Sequence, residues 1–142
     1  MTRLSVILLV DPRGWLLLQE RDEHAPRAAN KWGMVGGHVE DGEEFEPAAY
    51  RELAEETGIR LPAGALRRWR ELEVFHVAYG TLDTTQVWYA ATSLTDADIV
   101  VGEGRRIVFV DPAAARALDL TASATTIVPD FLDSAEYRAL LG

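Results

Sequence analysis

The stretch from Gly37 to Ile59 reads GHVEDGEEFEPAAYRELAEETGI, and its second half, Arg51–Gly58, crowds three glutamates into eight residues. The pattern predicts a helix. Pro47 suits a first turn, where its missing N–H leaves no bond unmade. Gly58 suits the C′ position, which closes a helix in left-handed backbone. At about 100° per residue, Tyr50, Leu53, Ala54 and Thr57 fall on one side as the expected core-facing stripe. Glu52, Glu55 and Glu56 fall on the other. Glu52 and Glu56 are then a like-charge i,i+4 pair, unfavourable by about 0.2–0.5 kcal/mol. Glu55 and Glu56 also sit where the helix dipole disfavours anions. Arg51 can pair with Glu55, but one cation does not balance three anions.

Two readings compete. A run of like charge is ordinarily a solvated face. Carboxylates at i, i+3 and i+4 on a rigid helix also suit a hard divalent cation, because Mg²⁺ takes oxygen ligands and keeps water in the rest of its shell. The wider spacing decides between them. Gly37 is followed after five residues by Glu43, and after seven more by Arg51-Glu52-Leu53-Ala54-Glu55-Glu56-Thr57-Gly58-Ile59. This resembles the signature of the Nudix hydrolases, G-x5-E-x7-R-E-U-x-E-E-x-G-U with U aliphatic, and every fixed position matches.

The resemblance implies an α/β fold: an α/β/α sandwich around a mixed β-sheet, with residues 37–59 as loop–helix–loop within a single domain spanning 1–142. It implies hydrolysis of a nucleoside diphosphate linked to a further group. Glu52, Glu55 and Glu56 match the metal-binding glutamates. Gly36, just before the motif, matches the position whose carbonyl adds a ligand, and Gly37 lies beside the substrate. Glu43 and Arg51 match a pair that braces the loop against the helix, so Arg51 orients rather than reacts. The implied cofactor is Mg²⁺, with Mn²⁺ able to substitute. Such cations neutralise an anhydride that would otherwise repel its nucleophile and acidify a water; the rest is positioning and charge stabilisation. Glu52 is the first choice of base. Some members use a glutamate from a later loop, and Glu103, in Gly102-Glu103-Gly104, is the candidate here, since flanking glycines allow close approach. Asp96 and Asp98 are weaker rivals.

The rest of the chain sets limits. Its 142 residues suit one domain, and 48% hydrophobic content supplies a core. A net charge of −9, from 23 acidic and 14 basic residues, argues against a nucleic-acid polymer or an anionic membrane as partner. A small phosphorylated substrate remains compatible, because cations can sit between two anionic groups. There are no cysteines, so disulfides and thiolate metal sites are excluded, and a cytoplasmic setting is the default expectation. No secretory leader or membrane span is apparent.

Strands are expected at Leu4–Val10 and Trp15–Gln19, joined by the turn Asp11-Pro12-Arg13-Gly14. Asp22–Lys31 reads as a loop, and Trp32–Val35 as a short strand stopping at Gly36-Gly37. Arg68–Tyr79 and Gln86–Thr92 read as strands joined by a turn over Gly80–Thr85, and Ile107–Val110 as a later strand. Asp111-Pro112 is an N-cap plus N1 pair for a helix over Ala113–Leu118. The tail is helical from Thr126, with Pro129 marking an entry or kink and Ser134 capping a last helix over Ala135–Leu141.

Among the remaining candidates, Arg21 and Arg105 are favoured as phosphate contacts over Arg67, Arg68, Arg70 and Arg106. Trp32, Phe75, Tyr79, Trp88 and Tyr89 are stacking candidates, although strand aromatics are more often core. His24, His38 and His76 have no metal spacing. The leading expectation is a nucleoside triphosphatase releasing a monophosphate and pyrophosphate. A nucleoside diphosphate sugar such as ADP-ribose is the nearest alternative substrate. A non-catalytic nucleotide sensor and a structural cation binder are the alternative classes. A homodimer through the apolar first strand is compatible with the sequence.

Overall fold

The computed structural model describes residues 2–76 and 80–142. In chain order the elements are β1 (Thr2–Val10), β2 (Leu16–Glu20), β3 (Trp32–His38), α1 (Phe45–Thr57), β4 (Arg67–His76), β5 (Thr81–Ala91), a single 3-10 turn (Asp96–Asp98), β6 (Arg106–Val110), α2 (Pro112–Ala117), α3 (Ala122–Leu132) and α4 (Ala135–Leu140). The strands form one mixed sheet in the order β4-β5-β1-β3-β2-β6. β1 runs parallel to β5 and antiparallel to β3, and its last residue also pairs with Leu16 of β2. A strand with neighbours on both edges and cover on both faces must be apolar throughout, which is why Val6–Val10 is a continuous buried run.

Successive side chains of β1 point to opposite faces. Ile7 and Leu9 pack with Leu17, Val35 and Trp88 against Ala49 and Leu53 of α1. Val6, Leu8 and Val10 pack with Leu18, Met34, Val87 and Tyr89 against Ala124, Ile127, Val128 and Phe131 of α3. The result is the α/β/α sandwich around a mixed sheet that the motif implied. Phe131 is fully buried, worth about 1.5–3 kcal/mol relative to exposure. Its ring centroid lies 5.3 Å from that of Trp69, and 5.6 Å from those of Tyr89 and Tyr137. The Tyr137 hydroxyl donates to the Gly14 carbonyl at 2.5 Å, tying α4 to the β1–β2 turn.

Several boundaries differ from expectation. β3 continues through Gly36-Gly37 to His38, because these glycines pair with Val6 and Ser5 of β1. A Cβ on Gly36 would lie 2.2 Å from the Ser5 carbonyl oxygen. α1 begins at Phe45, two residues before Pro47, which lies in its first turn. β5 begins at Thr81, so Thr81–Thr85 is strand rather than turn; the pairing Thr2↔Asp83 through Val10↔Ala91 holds it extended. α3 begins at Ala122 under a Thr121 cap, well before Thr126, and Pro129 lies inside it. The caps at Asp111 and Ser134 form as expected: Asp111 accepts from the Ala113 and Ala114 amides, and Ser134 from that of Tyr137. The expected end of β4 and the stacking candidate Tyr79 lie outside the described residues, as does the side chain of His76. No helix among the described residues is long and apolar enough to cross a membrane.

Candidate active site

α1 lies across β1 and β3, and Gly58 ends it with φ 75°, its N–H donating to the Ala54 carbonyl. The helix does not turn all three glutamates to solvent. Glu55 is exposed and Glu52 is half-buried, but Glu56 is buried beside Leu53 and Thr57. The expected core stripe is therefore corrected. It runs through Ala49, Leu53, Glu56 and Thr57, while Tyr50 and Ala54 lie at its margin. The cause is the cover. β3 passes under the helix with two glycines, and a Cβ on Gly37 would lie 2.6 Å from the Glu52 carboxyl carbon. A strap preceding β6 then closes over the last turn. Its Val100 N–H donates to the Thr57 carbonyl at 2.9 Å and its Gly102 N–H to that of Glu56 at 2.7 Å. A Cβ on Gly102 would meet the Glu55 carbonyl at 2.3 Å, so this approach requires glycine.

Arg51 braces the N-terminal side. Its Nε and Nη2 donate to the two oxygens of Glu43 at 2.8 and 2.9 Å, and Nη2 also reaches the His38 carbonyl at 2.9 Å. Its Nη1 donates to Glu52 Oε1 at 3.0 Å and Glu55 Oε2 at 3.1 Å. Glu43 in turn accepts the Glu40 amide at 3.0 Å. Arg51 and that amide hold the Glu43 carboxyl down at about 2, and the Glu43 carboxylate raises the guanidinium further above its ordinary value.

Glu56 is in the opposite condition. Burial pushes its carboxyl up to about 8, and the nearby negative charges of Glu52 and Glu103 add to the rise, against the Gly36 amide and the charge of Arg21. Its Oε2 is buried with no hydrogen-bond partner among the described residues. Burial raises Glu52 as well, opposed by Arg51 and reinforced by Glu55 and Glu103. The strap thus brings Glu103 to Glu52 and Glu56, from a position far along the chain. Arg21 faces Glu56 electrostatically while its Nε donates to the Arg27 carbonyl.

An uncompensated buried carboxylate is costly, and such orphans call for an unseen partner. The donors are all oxygen and their formal charge is negative, which fits a hard divalent cation rather than a soft or redox metal. Among the described residues, no three acidic or histidine side chains are gathered as a ready cation cage; Glu52 and Glu55 turn to Arg51 instead.

Most of the other candidates have structural partners or lie exposed on the surface. Asp96 accepts the Phe109 amide, and Asp98 closes a capping box with Thr95. Arg105 is held by Glu20 at 3.1 Å and Asn30 at 2.7 Å. Arg106 bonds Glu20 and lies over Trp32. Arg70 meets Asp130, while Arg67 and Arg68 are exposed. Trp32, Trp88 and Tyr89 are core, and Phe75 is exposed. His38 is exposed, and so is His24, 3.5 Å from Glu23. Gln19 escaped the sequence reading. It is buried, and its Nε2 donates to the Glu103 carbonyl at 2.8 Å. The one signal was a lone amide in the apolar run Leu16-Leu17-Leu18-Gln19.

A family model described as the NUDIX domain matches residues 1–131. The chain belongs to the Nudix family. It is 31% identical over 142 residues to the dihydroneopterin triphosphate diphosphatase of Escherichia coli (strain K12), covering 93% of this chain and 91% of that protein. The MutT protein from Methanosarcina mazei Go1 shares the fold, with a TM-score of 0.78 and 21% identity over 92% of this chain and 91% of that one. So does the NUDIX domain of Shewanella oneidensis NrtR complexed with ADP ribose, with a TM-score of 0.76 and 16% identity over 92% and 86%. This Nudix protein is a hydrolase of phosphoric anhydride bonds in nucleotide-linked substrates. Nudix proteins generally work with divalent metal ions, and the oxygen donors around Glu56 suit that requirement.

Proposed function

We propose that the chain hydrolyses a nucleoside triphosphate, or a closely related heterocycle-bearing triphosphate, to the monophosphate and pyrophosphate with Mg²⁺, for which Mn²⁺ can substitute. The carrying observation is the buried, unpartnered Oε2 of Glu56 beside the charges of Glu52 and Glu103. Glu52, Glu55, Glu56, Glu103 and the Gly36 carbonyl would hold the ions. Bound there, divalent cations would neutralise the anhydride oxygens and lower the barrier to an anionic nucleophile. Similarity to a triphosphate diphosphatase over nearly the whole chain favours a triphosphate over a dinucleotide-like diphosphate.

The side chains divide the remaining work. Arg51 holds Oε1 of Glu52, which leaves Oε2 to take the proton of the attacking water. Burial raises the Glu52 carboxyl, and so makes it a stronger base than an exposed glutamate. Arg21 supplies positive charge beside Glu56 and would meet the substrate's phosphates, with Gly37 letting them approach closely. Arg105 would reach a phosphate only by releasing Glu20 and Asn30. The dimer interface expected on the first strand is not offered, because β1 lies inside the sheet, paired on both edges, with Val6–Val10 buried.

The test is a substrate panel with Mg²⁺, comprising dihydroneopterin triphosphate, the common nucleoside triphosphates and ADP-ribose, with products resolved by ³¹P NMR. Pyrophosphate released from a triphosphate is the expected result. Two monophosphates from ADP-ribose alone would move the activity to nucleoside diphosphate sugars. Metal binding with no turnover would leave a sensor or a structural cation site.

A further inference from the structure

The strap that carries Glu103 has two anchors. On one side, Val100 and Gly102 donate to the last carbonyls of α1. On the other, the Arg105 amide donates to the Glu20 carbonyl at 2.8 Å, and Gln19 Nε2 donates to the carbonyl of Glu103 itself. Gly104, with φ +87°, lies so close to β2 that a Cβ would fall 2.9 Å from the Glu20 carbonyl oxygen and 3.2 Å from Gln19 Nε2. Glu103 therefore sits at the apex of a short span fixed at both feet. Exposed Val100 and Val101 show that little apolar packing holds the span down. Its placement depends on these hydrogen bonds and on the side-chain bonds of Arg105 to Glu20 and Asn30.

Gln19 is an unusual residue for its position. It is 5% exposed, in a strand whose neighbours Leu16, Leu17 and Leu18 are fully buried, and it pairs in register with Ile107 of β6. An apolar residue would pack at least as well there, because burying an amide costs free energy unless it is hydrogen-bonded. The bond it makes goes to the backbone of the one acidic residue that the strap brings to Glu52 and Glu56.

We infer that Gln19 is a positioning residue for Glu103, holding the strap at the height where the Glu103 carboxylate completes the cation site. The inference rests on the reading of Glu103 as a ligand. Partners of this kind, one step behind the ligands, typically alter metal affinity or activity by about 10–100-fold when removed. Gln19 acts through a backbone carbonyl rather than a ligand atom, so the lower end of that range applies.

The experiment measures Mn²⁺ binding in the absence of nucleotide, by electron paramagnetic resonance of the free ion. It uses the wild type, Gln19→Met, Glu103→Gln and the double variant, with a thermal melt of each metal-free protein. Met matches the length and volume of Gln, and removes only the amide. Gln19→Met is expected to weaken Mn²⁺ binding about tenfold while the metal-free melting temperature holds. The double variant is expected to bind no more weakly than Glu103→Gln, because an absent ligand cannot be mispositioned. Gly102→Ala, which lifts the opposite foot, should reproduce the loss and serves in place of Gln19→Met if that variant does not fold. Unchanged binding in Gln19→Met, or a tenfold loss that adds fully to that of Glu103→Gln, overturns the inference. Unchanged binding in Glu103→Gln itself overturns the reading of the site instead.

Discussion

Glu43 and Glu56 are the same side chain at two ends of one helix, and their surroundings drive them apart. Glu43 meets the fork of Arg51 and the Glu40 amide, and its carboxyl is held at about 2. Glu56 meets burial, Glu52 and Glu103, and is pushed up to about 8. The N-terminal side of α1 is electrostatically complete. On the C-terminal side the charge of Arg21 does not offset burial and the negative charges of Glu52 and Glu103, and that deficit is what a cation would fill. Matching letters in a motif thus meet opposite surroundings: one glutamate is held ionised by an arginine, and the other is buried with an oxygen that has no partner among the described residues.

The largest effect that would test this contrast is on turnover. Glu56→Gln is expected to lower kcat/KM with Mg²⁺ by about 10²–10³-fold, the scale of losing one focused electrostatic interaction at a reacting centre. Parent-like turnover at limiting Mg²⁺ would erase the distinction between the two glutamates. Arg51→Lys comes next. A lysine keeps the charge but cannot grip Glu43 in two places while touching Glu52 and Glu55. The melting temperature should fall by several degrees, and activity should fall about tenfold. A fully stable, fully active variant would mean the brace is ornamental.

A smaller effect lies in pH. In metal-free protein, the Glu56 carboxyl titrates near 8 when folded, against a reference of 4.5. Between those values the folded state binds the extra proton, so stability falls as pH rises through the window and is fully present below it. Glu43, being depressed, works the other way, losing its contribution as pH drops from about 4.5 toward 2. The melting temperature of chelator-treated protein should therefore decline more steeply between about pH 5 and 8 in the wild type than in Glu56→Gln. Added Mg²⁺ should restore stability at the alkaline end of that range in the wild type alone. Parallel slopes would place the raised carboxyl elsewhere. The smallest effect belongs to an acidic residue outside the contrast. Asp111→Ala removes the α2 cap and should cost about 1 kcal/mol in urea unfolding, with kcat unchanged.

What the residues disclosed in advance depended on how local the cause was. The end of α1 at Gly58 and the caps at Asp111 and Ser134 follow from chemistry within a few positions, whereas the turn after β1 is local but the strands it joins share one pair, Val10 with Leu16, before β3 comes between them. From the sequence, β5 reads too short because Gly80 and the polar residues Thr81, Asp83 and Thr85 imitate a turn; pairing with the partner strands β4 and β1 keeps them extended. The first turn of α3, Ala-Ser-Ala-Thr, mixes helix-forming alanines with Ser and Thr, which also favour caps and turns, and its start is set by the Thr121 cap and by the burial of Ala124. The helical wheel misplaced the core stripe of α1, setting Glu56 with Glu52 and Glu55 on the outer face. A wheel sorts residues by type, and burial of Glu56 comes from β3 and the strap. Gln19 has no local signature beyond being polar among leucines, since its partner lies 84 positions away.

The latch between Tyr137 and Gly14 has a consequence for biosynthesis. The two residues stand 123 positions apart, and Phe131, the centre of the aromatic cluster, arrives only shortly before Tyr137. A ribosome-bound chain that has already exposed its glutamate motif still presents one bare greasy face of the sheet. Exposed apolar surface of this kind is prone to aggregate until the closing helices emerge. Slow codons over residues 122–137 would lengthen that exposure and cut the yield of folded protein without altering a single contact in the finished molecule.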